Sequence, residues 1–484
     1  MLGVVSQTAH VFQQIRFNID LLLLNRKCMR VKSVPNRKKQ LILVFVSLAM
    51  LAFASLLIPS ILRTLPSRYL LYFPESIQIL GKRDNVTVLP TPAQKIDTHL
   101  NELLFARQTS TPIPTIPPVV VQFDQTQAIA GVTSLPTQIE EPTQTPIATP
   151  TLFTYPTSYL LNDINHQFQG WNNCGPATIA MYLSFYGYVW AQDDAAAWLK
   201  PNPEDRNVSP DELVSFVQTE TGLNAISIVN GDLERLKVLV SSGVPVMIET
   251  GIDPPGDYSW MDWYGHYYLV VGYDDSSETI QVYDSWLGSG TNESGEPVNL
   301  AEGKSINYSD FDLHWRQFNR QMILVFETEK QEQLELILGE TLLNDSLMWQ
   351  SALDQALNDL EGEPENAYLW FNVGTIYTNL AEFELATAAY DQSRQYGLPW
   401  RMLWYQFGPY EAYLQTGRYQ DIIDLADATL YQRPYFEEAY YYRGLAYFEL
   451  GEKGKAIQDL RRAIDFNPRF DDAQIRLADV QANP

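Results

Sequence analysis

Cys174 stands in the run Gln169-Gly170-Trp171-Asn172-Asn173-Cys174-Gly175-Pro176-Ala177-Thr178, followed by Ile179-Ala180-Met181-Tyr182-Leu183. Pro176 is preorganised for a first helical turn and Gly175 permits close backbone approach, so the thiol is expected at the start of an amphipathic helix. The unsatisfied N–H groups of a helix start carry partial positive charge, which favours thiolate over thiol. A thiolate that attacks an acyl carbon needs a general base and an oxyanion donor. The base candidate is His266, in Gly265-His266-Tyr267-Tyr268-Leu269-Val270-Val271-Gly272-Tyr273-Asp274-Asp275. Asp284, at the end of Ile280-Gln281-Val282-Tyr283, could fix the tautomer of that imidazole and support its cationic form.

These three side chains must be brought together by a helix and a hairpin. With a turn centred on Asp275, residue 266 faces 284, 268 faces 282 and 270 faces 280. Asp284 then shares a face with His266, Val270, Ile280 and Val282, whereas an even-length turn puts it on the other face. Around this hairpin the pattern predicts helices from Cys174 to Tyr186, Ser209 to Thr221 and Asp232 to Ser241. Ser209-Pro210-Asp211-Glu212 supplies the N-cap of the second. Strands are expected at Pro245–Glu249, His266–Tyr273, Thr279–Tyr283 and Gln321–Phe326. Helices first and strands later is an α+β pattern. His166 and His314 are expected in packing or at the surface, and Asp274 and Asp275 as turn formers. Trp171, Trp260, Trp263 and Trp286 are expected to line or roof the cleft.

Cys-Gly-Pro opening a helix, Gly-His opening an apolar strand with Gly-Tyr-Asp after it, and Asp284-Ser285-Trp286 resemble the bacteriocin-processing peptidases. These are family thirty-nine of the papain-like cysteine peptidases, and the resemblance is to their stand-alone relatives without a transporter. It covers roughly residues 159–326. It implies a papain-like fold, Cys174 as nucleophile, His266 as base and Asp284 as orienter. Trp286 would shield the base–orienter bond from water. It also implies a glutamine before the cysteine as oxyanion donor, with the Cys174 backbone N–H. That family usually places the glutamine six residues before the cysteine, where this chain has Phe168; Gln169 and Gln167 flank it, and Gln169 is the first choice. The implied activity is hydrolysis of a peptide bond through a thioester, with no cofactor and no metal. Two alternatives stay open: an inactive papain-like binding scaffold, and acyl transfer to an amine. Cleavage after a Gly-Gly leader does not carry over, and the loops Asp253–Asp262 and Leu287–Lys304 would set specificity.

From about Leu334 the period changes. Gly374 aligns with Gly444, Tyr377 with Tyr413 and Tyr447, Phe383 with Tyr419, and Ala386 with Ala456, giving units that start near 367, 403 and 437. The spacings of 36 and 34 resemble tetratricopeptide repeats, with Gly444-Leu445-Ala446-Tyr447, Gly451-Glu452, Ala456 and Asn467-Pro468 as the best stretch. A degenerate first unit from about Leu334 fits Trp349, Ala352 and Pro364. Such an array implies a protein partner or substrate in its groove, or a brace for the preceding domain.

The whole chain has 484 residues, 33 Lys plus Arg against 58 Asp plus Glu, and a net charge of −25. Nucleic acid is therefore not an expected partner, because phosphate binding needs a cationic surface. Two cysteines exclude a disulfide framework, and the five scattered histidines show no metal-ligand spacing. Residues 1–39 nevertheless carry +7. Arg26, Lys27, Arg30, Lys32, Arg37, Lys38 and Lys39 precede Leu41–Leu62, 22 residues without a charge. That length spans a hydrocarbon core of about 30 Å. The run is too long for a signal-peptide core, and no small-x-small site follows cleanly. The positive-inside rule keeps the N-terminus cytoplasmic and exports the rest. The expected order is a cytoplasmic tail (1–40), a transmembrane helix (41–62), a juxtamembrane segment (63–108) with a short helix near Ile96–Arg107, and a linker (109–157). The papain-like domain (158–328) and the repeats (329–484) follow. The linker, with nine prolines and twelve threonines in Thr109–Thr157, reads as an extended stalk.

Overall fold

The computed structural model describes residues 88–92, 154–202, 208–253, 263–286 and 303–482, and the backbone alone of 119–120 and 151–152. All belong to one compact unit, Val86–Pro484. The basic tail, the run Leu41–Leu62 and the helix expected near Ile96–Arg107 lie outside the described residues, as does most of the 109–157 linker. Among the described residues no helix is long and apolar enough to cross a membrane.

After β1 (Ser158–Leu160), the chain forms α1 (Cys174–Phe185), α2 (Gln192–Leu199) and α3 (Pro210–Glu220). Ser209 caps α3 as its sequence predicts. Its Oγ accepts from the Glu212 N–H at 3.3 Å, and Glu212 Oε2 accepts from the Ser209 N–H at 2.8 Å, a reciprocal box. β2 (Asn224–Ile228), α4 (Leu233–Ser241), β3 (Val246–Ile252), β4 (Tyr264–Asp274) and β5 (Thr279–Asp284) follow. β6 (Lys304–Asn307), α5 (Tyr308–Trp315), a 3-10 turn at Arg316–Phe318 and β7 (Met322–Phe326) complete the region. The strands build one antiparallel sheet in the order β2-β7-β3-β4-β5-β6, with β1 pairing the far end of β4. This is the α+β arrangement expected. β1, β2, β6, α2 and α5 are additions to the sequence reading.

α1 differs from its expectation in one respect. It is buried on every side from Gly175 to Ser184 rather than amphipathic, because the sheet and the surrounding helices enclose it. Tyr182 fastens it to the sheet: its hydroxyl accepts from the Val325 N–H at 2.9 Å and donates to the Pro245 carbonyl.

The second region is all helix: α6 (Gln331–Leu343), α7 (Asp345–Gly362), α8 (Ala367–Asn379), α9 (Phe383–Gln395), a 3-10 turn at Trp400–Trp404, then α10 (Gly408–Gln415), α11 (Tyr419–Gln432), α12 (Glu437–Glu449), α13 (Lys453–Phe466) and α14 (Asp471–Ala482). Consecutive helices pack as hairpins where small residues admit them. A Cβ on Gly374 would lie 2.6 Å from the Tyr390 ring. The array lies along the sheet region. Asn230 Nδ2 donates to Ser351 Oγ at 3.0 Å, Arg320 pairs with Asp359 at 2.8 Å, and Asn202 Nδ2 donates to Glu437 Oε2 at 2.9 Å. Residues 88–92 also lie on the repeats: Leu89 is buried, its N–H donates to the Leu398 carbonyl at 3.0 Å, and Arg394 donates to the carbonyls of Pro90 and Thr91.

Candidate active site

Cys174 is the first residue of α1 and is half-buried. The turn before it is tight. The Asn173 N–H donates to the Gly170 carbonyl at 3.3 Å, and Asn172 adopts φ +56°. Lys200 braces this turn, donating to the Asn172 carbonyl at 2.9 Å and to Asn173 Oδ1 at 3.2 Å.

The hairpin register corrects the expected one. Asp274 pairs with Thr279 across a four-residue turn, an even length that by itself would send Asp284 to the opposite face. A bulge between Val270 and Gly272 shifts the register by one more residue, so Tyr268 faces Asp284 and Val270 faces Val282. The two departures cancel in parity. Asp284 therefore shares its face with His266, diagonally rather than directly opposite.

His266 and Asp284 are each 2% exposed, and His266 Nε2 lies 3.0 Å from Asp284 Oδ1. The same oxygen accepts from the Trp286 N–H at 2.8 Å, and Oδ2 lies 3.3 Å from Lys304 Nζ. Burial opposes charge on the imidazole. The hydrogen bond and charge of Asp284 outweigh it, the Cys174 thiol meets the same ring and adds to the effect, and His266 is raised to about 9. Burial also pushes against ionisation of Asp284, but the hydrogen bond and charge of His266, then Lys304 and the Trp286 N–H, hold its carboxyl well below the usual range. The pair is thus an imidazolium–carboxylate at neutral pH. The Trp286 ring stands 6.4 Å from the imidazole, nearly perpendicular to it.

Among the glutamines the structure distinguishes sharply. Gln167 spends both ends beside α2, donating to the Trp190 carbonyl at 2.8 Å and accepting from the Gln192 N–H at 2.9 Å. Gln169 is tied instead to the residue after Asp284. Its N–H donates to the Ser285 carbonyl at 2.7 Å and its Oε1 accepts from Ser285 Oγ at 2.9 Å, which leaves Nε2 as its donor.

Other residues settle differently. His166 Nε2 donates to the Asp284 carbonyl at 2.8 Å, so a histidine read as packing also fixes the backbone of the orienter. His314 bonds its own helical turn at Asp310. Asp274 caps the turn through Ser276, while Asp275 pairs with Lys237 at 2.8 Å and with the Tyr308 hydroxyl at 2.7 Å. Trp263 is buried against Phe318 and Tyr405 rather than lining a cleft, and Trp260 lies outside the described residues. Sequence reasoning missed Lys304 and Glu249. Lys304 comes within reach only through the pairing of β6 with β5, which sets it opposite Val282. Glu249 lies on β3 opposite Tyr267, is 2% exposed, and has Oε1 buried with no hydrogen-bond partner. Burial first, and then the nearby Cys174, raise its carboxyl well above the ordinary range.

Residues 161–323 match the model of the Peptidase C39 like family, and residues 437–470 that of the tetratricopeptide repeat. The chain therefore carries a peptidase C39-like domain followed by a tetratricopeptide repeat. A crystal structure described as a C39-like peptidase from Bacillus anthracis is similar at 17% identity, covering 35% of this chain and 98% of that one, with a TM-score of 0.27. MamA (41-end) from Desulfovibrio magneticus RS-1 is similar at 19% identity, covering 32% of this chain and 81% of that one, with a TM-score of 0.26. No curated protein matches the chain.

Proposed function

We propose that the first domain is a papain-like cysteine peptidase and that Cys174, His266, Asp284 and Gln169 do its chemistry. The observation that carries this reading is the buried imidazole set between the thiol of Cys174 and the carboxylate of Asp284. In the proposed reaction the Cys174 thiolate attacks the scissile carbonyl carbon, and the oxyanion is held by the Cys174 N–H and Gln169 Nε2. The His266 imidazolium gives its proton to the leaving amine as the C–N bond breaks, leaving a thioester. Water then loses a proton to His266 and attacks the thioester, and the returning thiolate re-forms the ion pair. Asp284 keeps the ring oriented and its charge stabilised throughout.

The substrate is a peptide or protein, and the repeats offer a surface for a protein partner. The uncharged run Leu41–Leu62 behind seven cations supports a membrane-anchored peptidase acting outside the cytosol. Reaction of the full chain with an electrophilic thiol probe, together with peptide-library cleavage, tests the activity. Cleavage and rapid labelling are expected in the native chain; in Cys174→Ala cleavage is lost and labelling falls to what Cys28 alone gives. A native chain that cleaves nothing, with a thiol no more reactive than in the denatured chain, overturns the reading.

A further inference from the structure

His266 is reached along β4 through Trp263, Tyr264 and Gly265, and each of these three residues is held from the repeat region. Arg401, only 7% exposed, donates to the Trp263 carbonyl at 3.0 Å, and its guanidinium stands 4.2 Å from the Tyr264 ring centroid. Trp404, fully buried, meets Tyr264 edge-on at 6.0 Å. Tyr405 closes over Gly265, where a Cβ would come within 2.9 Å both of its ring and of Phe318. The contact continues inward. Tyr264 lies 6.1 Å from Trp286, whose ring faces His266 and whose N–H holds Asp284.

We propose that the repeat region forms a wall of the peptidase site, with Arg401 as a positioning residue that acts through Trp263 and Tyr264 to hold His266 against Cys174. This rests on the peptidase reading. A buried guanidinium is an expensive way to fill space, since an aliphatic side chain packs there without desolvating a charge. What the guanidinium adds is direction: one hydrogen bond fixes the backbone of Trp263, and one planar face fixes the Tyr264 ring. Misplacing a catalytic group by about 1 Å lowers turnover by about 10²-fold, so loosening the entry to β4 acts on chemistry rather than on substrate binding.

The test uses the full chain carrying Arg401→Met or Arg401→Lys, a fluorogenic peptide drawn from the library, and melting temperatures. The Met variant is expected to lose 10- to 100-fold in kcat with KM within twofold, and its alkaline activity limit is expected to fall to lower pH. The Lys variant, which keeps a cation on Tyr264 and a donor for Trp263, is expected to restore kcat to within about threefold. If the Met variant fails to fold, the Lys variant is compared with Arg401→Gln at matched melting temperature, and the same split between kcat and KM is required. Wild-type kcat and pH limit in the folded variants overturn the wall while leaving the peptidase reading intact. A native chain inert to both probe and peptide overturns both.

Discussion

Two buried ionic clusters, one in the sheet and one in the repeats, are built to the same standard of pairing. In the sheet, His266 and Asp284 are matched at 3.0 Å. In the repeats, Arg394 meets Asp421 at 2.8 Å, Arg418 meets Asp391 at 2.6 Å and Asp421 at 2.9 Å, and the Tyr413 hydroxyl donates to Asp391 at 2.7 Å. Burial opposes the Arg394 charge as it does that of His266, and Tyr413 and Asp421 outweigh it, so its proton is held still more firmly. Arg394 Nη1 also donates to the Tyr413 hydroxyl at 3.0 Å, and its Nε and Nη2 donate to the carbonyls of Pro90 and Thr91. Depth and pairing therefore do not mark a reactive site. The sheet cluster differs in holding a proton that can leave near pH 9, on a ring that also meets a thiol.

Exchanging the two losses should break the comparison most visibly. His266→Ala is expected to lower turnover by about 10³-fold or more, and also to cost about 3–5 kcal/mol because the buried Asp284 carboxylate loses its imidazolium partner. Asp421→Ala is expected to cost about 3–5 kcal/mol by stranding Arg394, with turnover per folded molecule unchanged; chemical denaturation beside active-site titration reads both. Asp284→Asn should come next, with a fall in kcat of about 10²-fold, the low end of a general acid–base contribution, because the ring itself stays. Its alkaline limit should drop from near pH 9 toward the ordinary imidazole range. The sign follows from linkage. A raised His266 stabilises fully below its unfolded value near 6.5 and loses that contribution as pH rises through 9. A depressed Asp284 stabilises above about pH 4 and loses its contribution as pH falls through the folded value. Asn at 284 should flatten both slopes.

Glu249 sharpens the contrast, since it is as buried as Asp284 but its Oε1 has no hydrogen-bond partner among the described residues. The unfolded chain releases this proton near pH 4.5 while the folded chain keeps it, so stability drains as pH rises from 4.5. Glu249→Gln should remove that slope in melting temperatures taken from pH 4.5 to 8, and an unchanged slope would show that the carboxyl ionises freely in the fold. Lys304→Met should have the smallest effect, within about 1 kcal/mol because the amine is over a third exposed. What difference it makes should fade in high salt.

Cys174 at a helix start was legible because helix signals are local: Gly175-Pro176 and the apolar run after them suffice. The alternation of two strands put His266 and Asp284 on one face only because the even-length turn and the bulge, neither foreseen, cancel in parity. Their register was not legible, because a four-residue turn and a bulge inside the apolar run Leu269-Val270-Val271 carry no distinct local signature. Lys304 and Glu249 acquire their neighbours only when β6 pairs with β5 and β3 with β4, pairings that depend on the whole sheet. The repeat period was written in small and aromatic residues spaced 34 to 36 apart. The stretch Trp400–Tyr405 straddles the junction of two units of that period, and nothing in it announces the strand it touches.

The seating of residues 88–92 on the repeats has a mechanical consequence. Leu89, Pro90 and Thr91 are bonded to the repeats, ahead in sequence of the threonine- and proline-rich run. A pull transmitted from the N-terminal side therefore arrives at Arg394 before it can reach the threonine- and proline-rich run.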